Sequence, residues 1–315
     1  MSSGFVVRRL GFVLFTLLLT SMLVFAATQL LPGDVARILL GREAGDEAVE
    51  ALREELGLNR PIPIQYASWL GRFLIGDWGE SFGTGTSIRP LLIERLGNSL
   101  MLAVVSLLIA VPLSVGLGVW AGIRENRWAD HLISLISLSI VGLPEFVTGV
   151  LLIEVLAHQW GWLPASSSIA PGTSMIQALP YLVLPALTAT FVMLAYIVRL
   201  TRASVVEQLR RPYIRTATLK GLPRRTVLTK HLLRNALMPT VTVVAISFGW
   251  LIGGLIVIEN VYNYPGLGRL LLFAIDRRDF PLVQAITMVV VVIVVLSNLS
   301  ADIVYASLDP RIRYE

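Results

Sequence analysis

Residue types that could carry catalysis are scarce in this 315-residue chain. It contains no cysteine, which excludes disulfides and thiol chemistry, and its histidines lie far apart, at His131, His158 and His231. Neither HExxH nor GxSxG is present. The two lysines, Lys220 and Lys230, do not stand in the Gly-Lys-Ser/Thr run of a phosphate-binding P-loop. We therefore predict no catalytic residue, metal site or resident cofactor, so P-loop ATP hydrolysis would require another subunit.

Two acidic residues interrupt the apolar stretch from His131 to Ala157. A carboxylate near mid-bilayer costs about 2.5–3.5 kcal/mol on insertion scales. Glu154 lies near the end of the stretch and can reach the headgroups, whereas Glu145 lies deeper. Glu145 is a candidate for a water-filled cavity or a partner contact, where it would bind a substrate amine. Alternatively, it is a protonated or hydrogen-bonded structural residue.

Two polar residues, Asn298 and Asp302, are one helical turn apart near the end of the last apolar stretch. Residues at this spacing share a helix face. We predict packing or gating contacts for them, and with Glu145 they form the candidate set for a translocation pathway.

Long apolar stretches must position these residues. Hydrophobic residues make up 55% of the chain and charged residues 15%, with a mean hydropathy of +0.73, whereas soluble proteins carry about 25% charged residues. Since a membrane-spanning helix needs about 20 apolar residues, we predict an all-α protein with six spans. The spans are Leu10–Leu31, Asn98–Ile123, His131–Ala157, Leu179–Val198, Asn235–Ile258 and Phe280–Ala301. The first is longer than a usual signal-peptide core, so we expect it to be retained. Small residues spaced by four, Ser114, Gly118 and Gly122, predict a close helix–helix contact in the second.

The distribution of basic residues predicts the orientation. With six spans, 16 of the 26 Lys and Arg residues fall on the side that contains both termini, and ten of these lie in the segment 199–234. The other side has 10, of which seven lie in one long loop that weighs little in the positive-inside rule. We therefore predict that the N- and C-termini are both cytoplasmic.

The long external loop, 32–97, contains ten acidic and seven basic residues. Its stretch Asp46–Leu56 has the pattern of an amphipathic helix, which Gly57 would close. Aromatic residues favour the membrane interface, and three follow in this loop, Trp69, Phe73 and Trp78. The loop is interpreted either as a piece that rests on the membrane or as a folded cap without ligand contact.

The segment 199–234 is the most basic part of the chain. Pro212 can occupy the first position of a helix and Gly221 can cap its end. Pro223 can then start a further helix that runs toward Leu237. The short helix between these breaks is interpreted either as a positively charged anchor or as a docking helix for a cytoplasmic partner.

The sequence Arg215–Gly221 (RTATLKG) resembles the cytoplasmic EAA loop of binding-protein-dependent ABC permeases. It is similar in particular to the first, B-type permease of the dipeptide/oligopeptide/nickel branch, which reads much like YIRTAxxKGL followed by RHxLRNALxP. The matching segments occur in the family's order along nearly the whole chain: LPGD (31–34), LGLNRP (56–61), QY (65–66), GDWGES (76–81), YIRTATLKGL (213–222), HLLRNALMP (231–239), IENV (258–261), PGLG (265–268), RD (278–279), NL (298–299) and DPR (309–311).

The resemblance implies a type I ABC importer permease with six transmembrane helices in a bacterial or archaeal inner membrane. Its regions would be the first helix with the N-terminus (1–31), an external region (32–97) and a five-helix core (98–315) that contains the coupling loop. The implied partners are a second homologous permease, two cytoplasmic ATPases that bind ATP and Mg²⁺, and an external solute-binding protein. Neither this family nor the sequence points to nucleic acid.

The resemblance also assigns roles to individual positions. The residues expected to couple to the ATPases are Tyr213, Arg215, Thr216, Ala217, Lys220, Gly221 and Leu222. The residues expected to face the binding protein are Asp77, Trp78, Glu259, Tyr262, Pro265, Arg278 and Asp279.

Two other classes of function fit the sequence less well than the importer. An ion-coupled secondary transporter predicts inverted repeats and paired acidic residues at mid-membrane, and Glu145 alone has that position. A membrane-embedded hydrolase would need a nucleophile and a base, and the sequence offers no recognisable set of the two. Within the family, peptides are the expected substrate, and nickel chelates, glutathione, opines and oligosaccharides are the alternatives.

Overall fold

The structure is a computed structural model, and it describes residues 3–30, 35–40, 44–55, 57–169, 173 and 175–308. The family-like segments 31–34 and 309–311, and residue 56, lie outside this part. The described residues form α1 (Ser3–Leu30), α2 (Val35–Leu40), α3 (Asp46–Glu55), α4 (Ile62–Leu74), α5 (Ile88–Ile123), α6 (Trp128–Val141), α7 (Glu145–Leu152), α8 (Met175–Leu209), α9 (Pro212–Leu219), α10 (Arg224–Thr226), α11 (Leu233–Ala236), α12 (Met238–Val261), α13 (Leu267–Asp276) and α14 (Phe280–Leu308). Two π-helical segments, Ile153–Gln159 and Val227–Leu232, follow α7 and α10.

Four helical segments are long and apolar enough to cross a membrane by length and composition. They are Val7–Leu30, Ile88–Ile123, Gln177–Leu209 and Phe280–Ile303. Two further spans are possible as bent pairs, Trp128–Val141 with Glu145–Gln159 and Arg224–Ala236 with Met238–Gly249. The described residues thus contain up to six spans, and the all-α, polytopic fold class is confirmed.

The third predicted span is broken rather than kinked. Its two halves meet at an angle of 105°, and the chain turns between them at Gly142 and Pro144. Pro144 has no N–H to donate and adopts an extended conformation (ψ 142°) immediately before α7. Hydropathy could not distinguish this arrangement from a single helix because the apolar run continues through the break.

The first compact unit comprises Gly97–Arg269 and Ile293–Glu315. In this unit α8 packs against α6, α7, α11 and α12. Its largest core contains Leu102, Leu182, Leu251, Leu255 and Tyr262. The buried positions of α8 that face this core recur at helical spacing, so α8 is the central helix of the unit.

A close helix contact joins α5 to α8, as the spacing of small residues predicts. A Cβ atom added at Gly122 would lie 2.6 Å from Val205 Cγ1, and one at Gly118 would lie 2.7 Å from Thr201 Cβ. Glycine is therefore required at both positions, because any side chain would push the two helices apart.

The second compact unit comprises Ser2–Leu96 and Leu270–Val292. Here α1 packs on α4, with a hydrogen bond of 2.7 Å between the hydroxyls of Ser21 and Tyr66. The rings of Phe25 and Tyr66 lie edge to face at 5.6 Å.

Three helices were not predicted, namely α2, α4 and α13. The region around Trp69 and Phe73 forms α4, which follows the N-cap residue Pro61 and has Pro63 in its first turn, where proline is tolerated. The segment 259–279 contains α13. The helix α8 also continues eleven residues past its predicted end at Val198, since no helix breaker precedes Pro212.

Candidate functional site

The short helix α9 begins and ends at the residues that the sequence indicates. Pro212 is its first residue, and the preceding Arg211 is extended (ψ 142°), as the residue before a proline prefers to be. At its other end the Gly221 N–H donates to the Thr218 carbonyl (3.0 Å) and the Leu222 N–H to the Ala217 carbonyl (3.4 Å). This is a Schellman motif with glycine in the left-handed conformation, φ 74°.

One face of α9 is buried and fixes the helix in place. Ile214 and Ala217, three residues apart, pack into a small core with Val205 of α8 and with Val227 and Leu232 of the second π-helical segment. The core lies within the first unit, so α9 is attached to the end of α8 rather than suspended on a flexible loop.

Tyr213 supports this attachment through hydrogen bonds. Its hydroxyl donates to Gln208 Oε1 at 2.8 Å and accepts from Asn235 Nδ2 at 3.1 Å. Of the predicted coupling residues, Tyr213 and Ala217 therefore point inward and hold the helix.

The outward face of α9 carries the remaining predicted coupling residues. Arg215, Thr216, Lys220, Gly221 and Leu222 are all exposed. Leu219, which was not singled out, is 79% exposed. Its position follows from the periodicity, because inward residues at 214 and 217 place 215 and 219 outward. This side of the helix and the turn after it therefore present two cations and an apolar side chain to the surroundings.

Ion pairs fix the turn between α5 and α6 to the same end of α8. Arg202 donates to both carboxylate oxygens of the buried Asp130, at 2.5 and 2.7 Å. Arg210 pairs with Glu125 at 2.7 Å. The bidentate geometry and the burial of Asp130 make the first pair the stronger constraint.

Glu145, the acidic residue in the broken third span, lines a cavity of about 220 Å³. The cavity is also lined by Leu143, Thr148, Phe191 and Val192. The carboxylate is half-buried at the first position of α7. Asn298 is exposed on α14 and Asp302 is half-buried, and neither lines this cavity.

Glu259, expected to face a binding protein, is fully buried. Its carboxylate accepts hydrogen bonds from the Ser99 hydroxyl (2.5 Å) and from the backbone N–H groups of Gly268 (2.7 Å) and Arg269 (3.3 Å). The side chain thus anchors the start of α13 and is not available for docking, which corrects the expectation for this residue.

Tyr262 is also fully buried, and its hydroxyl contacts Thr188 (2.8 Å) and donates to the Gly149 carbonyl (3.0 Å). The nearby Tyr264 donates to the Asn98 carbonyl at 2.7 Å. Burial raises the pKa of Tyr264, and the adjacent Glu259 adds to the effect. The Tyr262 side chain is therefore a core element and cannot face a binding protein.

In the second unit Asp279 is buried as well. It accepts from the Ser81 hydroxyl at 2.6 Å and from the Gly83 N–H at 3.0 Å, so it ties the loop after α4 to the start of α14. Its neighbour Arg278 is exposed and has φ 55°. Again the acidic side chain is structural, and the adjacent arginine remains accessible.

The other three residues expected to face a binding protein are at least partly accessible. Asp77 is exposed and Trp78 is half-buried, with its indole donating to the Phe73 carbonyl at 3.2 Å. Pro265 is half-buried and its carbonyl accepts from Asn98. Among the described residues, no three His, Asp or Glu side chains come together as a metal site would require.

Comparison with known proteins gives two family matches that together cover nearly the whole chain. The family described as "Binding-protein-dependent transport system inner membrane component" matches residues 114–314. Residues 2–109 match "Binding-prot-dependent transport system membrane comp, N-term".

The relatives and structural neighbours agree with these matches. The glutathione transport system permease protein GsiC of Escherichia coli K12 is 37% identical over 312 residues, 99% of each chain. The probable peptide ABC transporter permease protein y4tP of Sinorhizobium fredii is 36% identical over 310 residues, 98% of this chain and 99% of that one. In fold, the chain is similar to the MetNI methionine ABC transporter in an inward-facing conformation (TM-score 0.54, 18% identity, 70% of this chain and 96% of that one) and to an amino acid ABC transporter with histidines (TM-score 0.54, 16% identity, 69% and 94%). The chain therefore belongs to the family of binding-protein-dependent inner membrane components, the permease subunits of ABC importers.

Proposed function

We propose that this permease transports small peptides as one of two homologous permeases in a complex with two cytoplasmic ATPases. Members of the family work with an ATPase component and a binding protein and cross the inner membrane several times. We further propose that this chain pairs with a second, homologous permease and that two ATPases bind the pair. Both termini would be cytoplasmic.

The proposal rests on the way α9 is attached on one face and exposed on the other. One face of this helix is fixed to the end of α8, and the other exposes Arg215, Leu219 and Lys220. A helix that served as an anchor would need basic residues but no buried attachment. A rigid, convex helix instead transmits the movement of a partner to the spans behind it, as coupling to ATP hydrolysis requires.

The substrate proposal is supported by the relatives and by one side chain. The two relatives are named for glutathione and for peptides, which are both peptidic substrates. Glu145 supplies a carboxylate beside a cavity in the membrane region, which fits a substrate with a cationic amine. Asn298 and Asp302 remain candidates for contacts that open or close the inner end of the pathway.

The binding protein would deliver peptides to the outer loops. After the buried residues are set aside, the accessible candidates for this contact are Asp77, Trp78, Pro265 and Arg278. Glu259, Tyr262 and Asp279 would act indirectly, by holding the loops in shape.

The test is co-purification from the native membrane in mild detergent, followed by uptake of radiolabelled trialanine into liposomes containing ATP. We expect a second permease and P-loop ATPases to be recovered by mass spectrometry, and uptake to require both ATP and the binding protein. A complex that contains the ATPases but leaves trialanine outside would disprove the peptide substrate. A chain that purifies alone would disprove the assembly.

A further inference from the structure

The central helix α8 has one exposed stripe along an otherwise buried surface. Around Tyr196 and Arg199, the neighbouring side chains on the other faces are buried; these are Met193, Leu194, Ala195, Ile197, Val198 and Thr201. Tyr196 is 62% exposed, and Arg199 and Ala203 are also exposed. The stripe follows the spacing 192, 196, 199, 203, 206 and 210, which is one face of an α-helix.

The residues of this stripe are unsuited to lipid. The exposed faces of α5 and α6 carry residues such as Leu108 (69% exposed) and Leu135 (63%). At similarly exposed positions, α8 instead presents the phenol of Tyr196 and the guanidinium of Arg199. Ionisable residues within spans face water-filled cavities or partner chains, because exposure to lipid is costly. The stripe therefore faces a water-filled cavity or a partner chain rather than lipid.

Two cavities among the described residues are lined by residues of this stripe, which favours water over a partner chain along it. Val192, at the N-terminal end of the stripe, lines the cavity that contains Glu145. At its C-terminal end, the residues Ala203, Val206 and Arg210 line a second cavity of about 540 Å³. Tyr196 and Arg199 lie between them on the same face.

Arg199 differs from the other arginines of α8 and its end. Arg202 pairs with Asp130, Arg210 with Glu125, and Arg211 with Glu207. Among the described residues, no ion-pair or hydrogen-bond partner of the Arg199 guanidinium is found, and the same holds for the Glu145 carboxylate. One unpaired anion and one unpaired cation thus lie along a single path.

We propose that Glu145, Tyr196 and Arg199 form a recognition site for a small peptide zwitterion, with Arg199 binding the C-terminal carboxylate. This inference rests on the peptide-importer function proposed above. Val192 and Arg199 are seven residues apart, about 10 Å along a helix, which is close to the length of about three extended residues. A tripeptide therefore fits with its amine at Glu145 and its carboxylate toward the cytoplasm. A guanidinium is well suited to this role because it binds a carboxylate in a bidentate manner.

The natural absence of cysteine from this chain allows a direct test in the complete complex. Single substitutions Arg199→Cys and Tyr196→Cys place a thiol on the stripe. Leu108→Cys is the control for a lipid-facing position. Arg127→Cys removes an exposed, unpaired arginine from the turn between α5 and α6 and controls for charge. Each complex is treated with aminoethyl or sulfonatoethyl methanethiosulfonate, with the wild-type complex in parallel, and reconstituted for trialanine uptake.

We expect the thiols at positions 196 and 199 to react faster than the thiol at position 108. Arg199→Cys should lower uptake about tenfold or more, the effect of losing one charge-assisted hydrogen bond. The aminoethyl adduct, which restores a cation, should recover most of the uptake, whereas the sulfonatoethyl adduct should not. Arg127→Cys should retain wild-type uptake with either reagent.

Equal effects of the two adducts on uptake, or thiols at 196 and 199 as unreactive as the thiol at 108, would overturn the proposal. If the Arg199→Cys complex does not assemble, protection decides: saturating trialanine should slow the labelling of Tyr196→Cys about tenfold, and an unchanged rate contradicts the site. A wild-type complex that does not transport trialanine disproves the peptide function, and unreactive thiols on the stripe would then disprove the aqueous path separately.

Discussion

At the scale of single residues, two helices end in the same hydrogen-bond arrangement but with different residues in the left-handed position. Gly221 occupies it after α9 (φ 74°), and Arg278 occupies it after α13 (φ 55°). A residue with a Cβ atom in this conformation costs roughly 1–2 kcal/mol. Residues held in such strained conformations tend to occur where a side chain is used for binding. We therefore infer that Gly221 is needed for its backbone conformation, whereas Arg278 is retained for its side chain.

For Gly221 we predict that backbone conformation, and not size, sets the effect of substitution. A Cβ added there would meet no atom within 4 Å, so steric overlap is excluded. Gly221→Asn should keep most peptide uptake because asparagine tolerates a positive φ, whereas the β-branched Gly221→Val should abolish it. Uptake and substrate-stimulated ATPase activity are the measurements, with membrane content as a check.

The control for this series is Gly161→Val. Gly161 has φ 64° and equally open surroundings, but lies far along the chain from the coupling helix. Its substitution should leave ATPase stimulation intact. Equal loss in both valine variants would mean that the defect is general destabilisation, not failure to couple.

For Arg278 we predict opposite effects on stability and function. Arg278→Gly should raise the free energy of unfolding by about 1 kcal/mol, because it relieves the left-handed strain. It should also reduce uptake by removing an exposed cation from the face offered to the binding protein. Thermal unfolding in detergent and uptake are measured together.

Arg277→Gly is the matched control, since it removes a neighbouring arginine at a position whose φ is not positive. It should bring no gain in stability. A more stable Arg278→Gly complex with unchanged uptake would show that the Arg278 side chain plays no part in docking.

At the scale of elements, α13 depends on side chains from two other helices. The first N–H groups of a helix lack partners within it. Here Ser99 Oγ of α5 accepts from the Leu267 N–H at 2.8 Å, and Glu259 of α12 accepts from Gly268 and Arg269. The start of α13 is thus held by a buried carboxylate rather than by a local cap.

We therefore predict that Glu259→Gln loosens the start of α13. The amide retains only one acceptor oxygen, so either the Ser99 hydroxyl or the backbone N–H groups of Gly268 and Arg269 lose their acceptor, at a cost of about 2 kcal/mol. Hydrogen exchange at Leu267, Gly268 and Arg269 should accelerate, as measured by mass spectrometry. The exposed Glu154→Gln serves as the control, and unchanged exchange at α13 in the Glu259 variant would contradict the role.

Some helix boundaries and buried residues could be predicted from the sequence, and others could not. The ends of α9 were predictable because Pro212 and Gly221 act locally on the backbone. The extension of α8 was not, because a hydropathy count ends the span at Arg199 whereas the helix ends only before Pro212. The burial of Glu259 and Asp279 depends on partners such as Ser99 and Ser81, at 160 and 198 residues' separation. Contacts between residues so far apart in the sequence cannot be inferred from local sequence patterns.

At the scale of the whole molecule, we predict that both termini are cytoplasmic. The basic residues are concentrated in the segment 199–234, which would lie on the same side. Alkaline phosphatase fused within the loop at 158–178 should be active in cells, and green fluorescent protein fused at the C-terminus should fluoresce. The reverse pattern would place α9 outside the cell and exclude its contact with ATPases.

The contact of Gly118 and Gly122 with α8 has a mechanical consequence. It acts as a fulcrum near Val205, about 6 Å from the end of α8 at Leu209 and about 20 Å from Val192 beside the Glu145 cavity, at 1.5 Å per residue. Both arms lie in one continuous helix, and Leu209 at the end of the short arm packs into the core that holds α9, so a push on α9 tilts α8 as a lever. A displacement of about 1 Å at the short arm becomes about 3 Å at the cavity, in the opposite direction. Close packing of two glycines against one helix would thereby turn a small movement outside the membrane into a larger one within it.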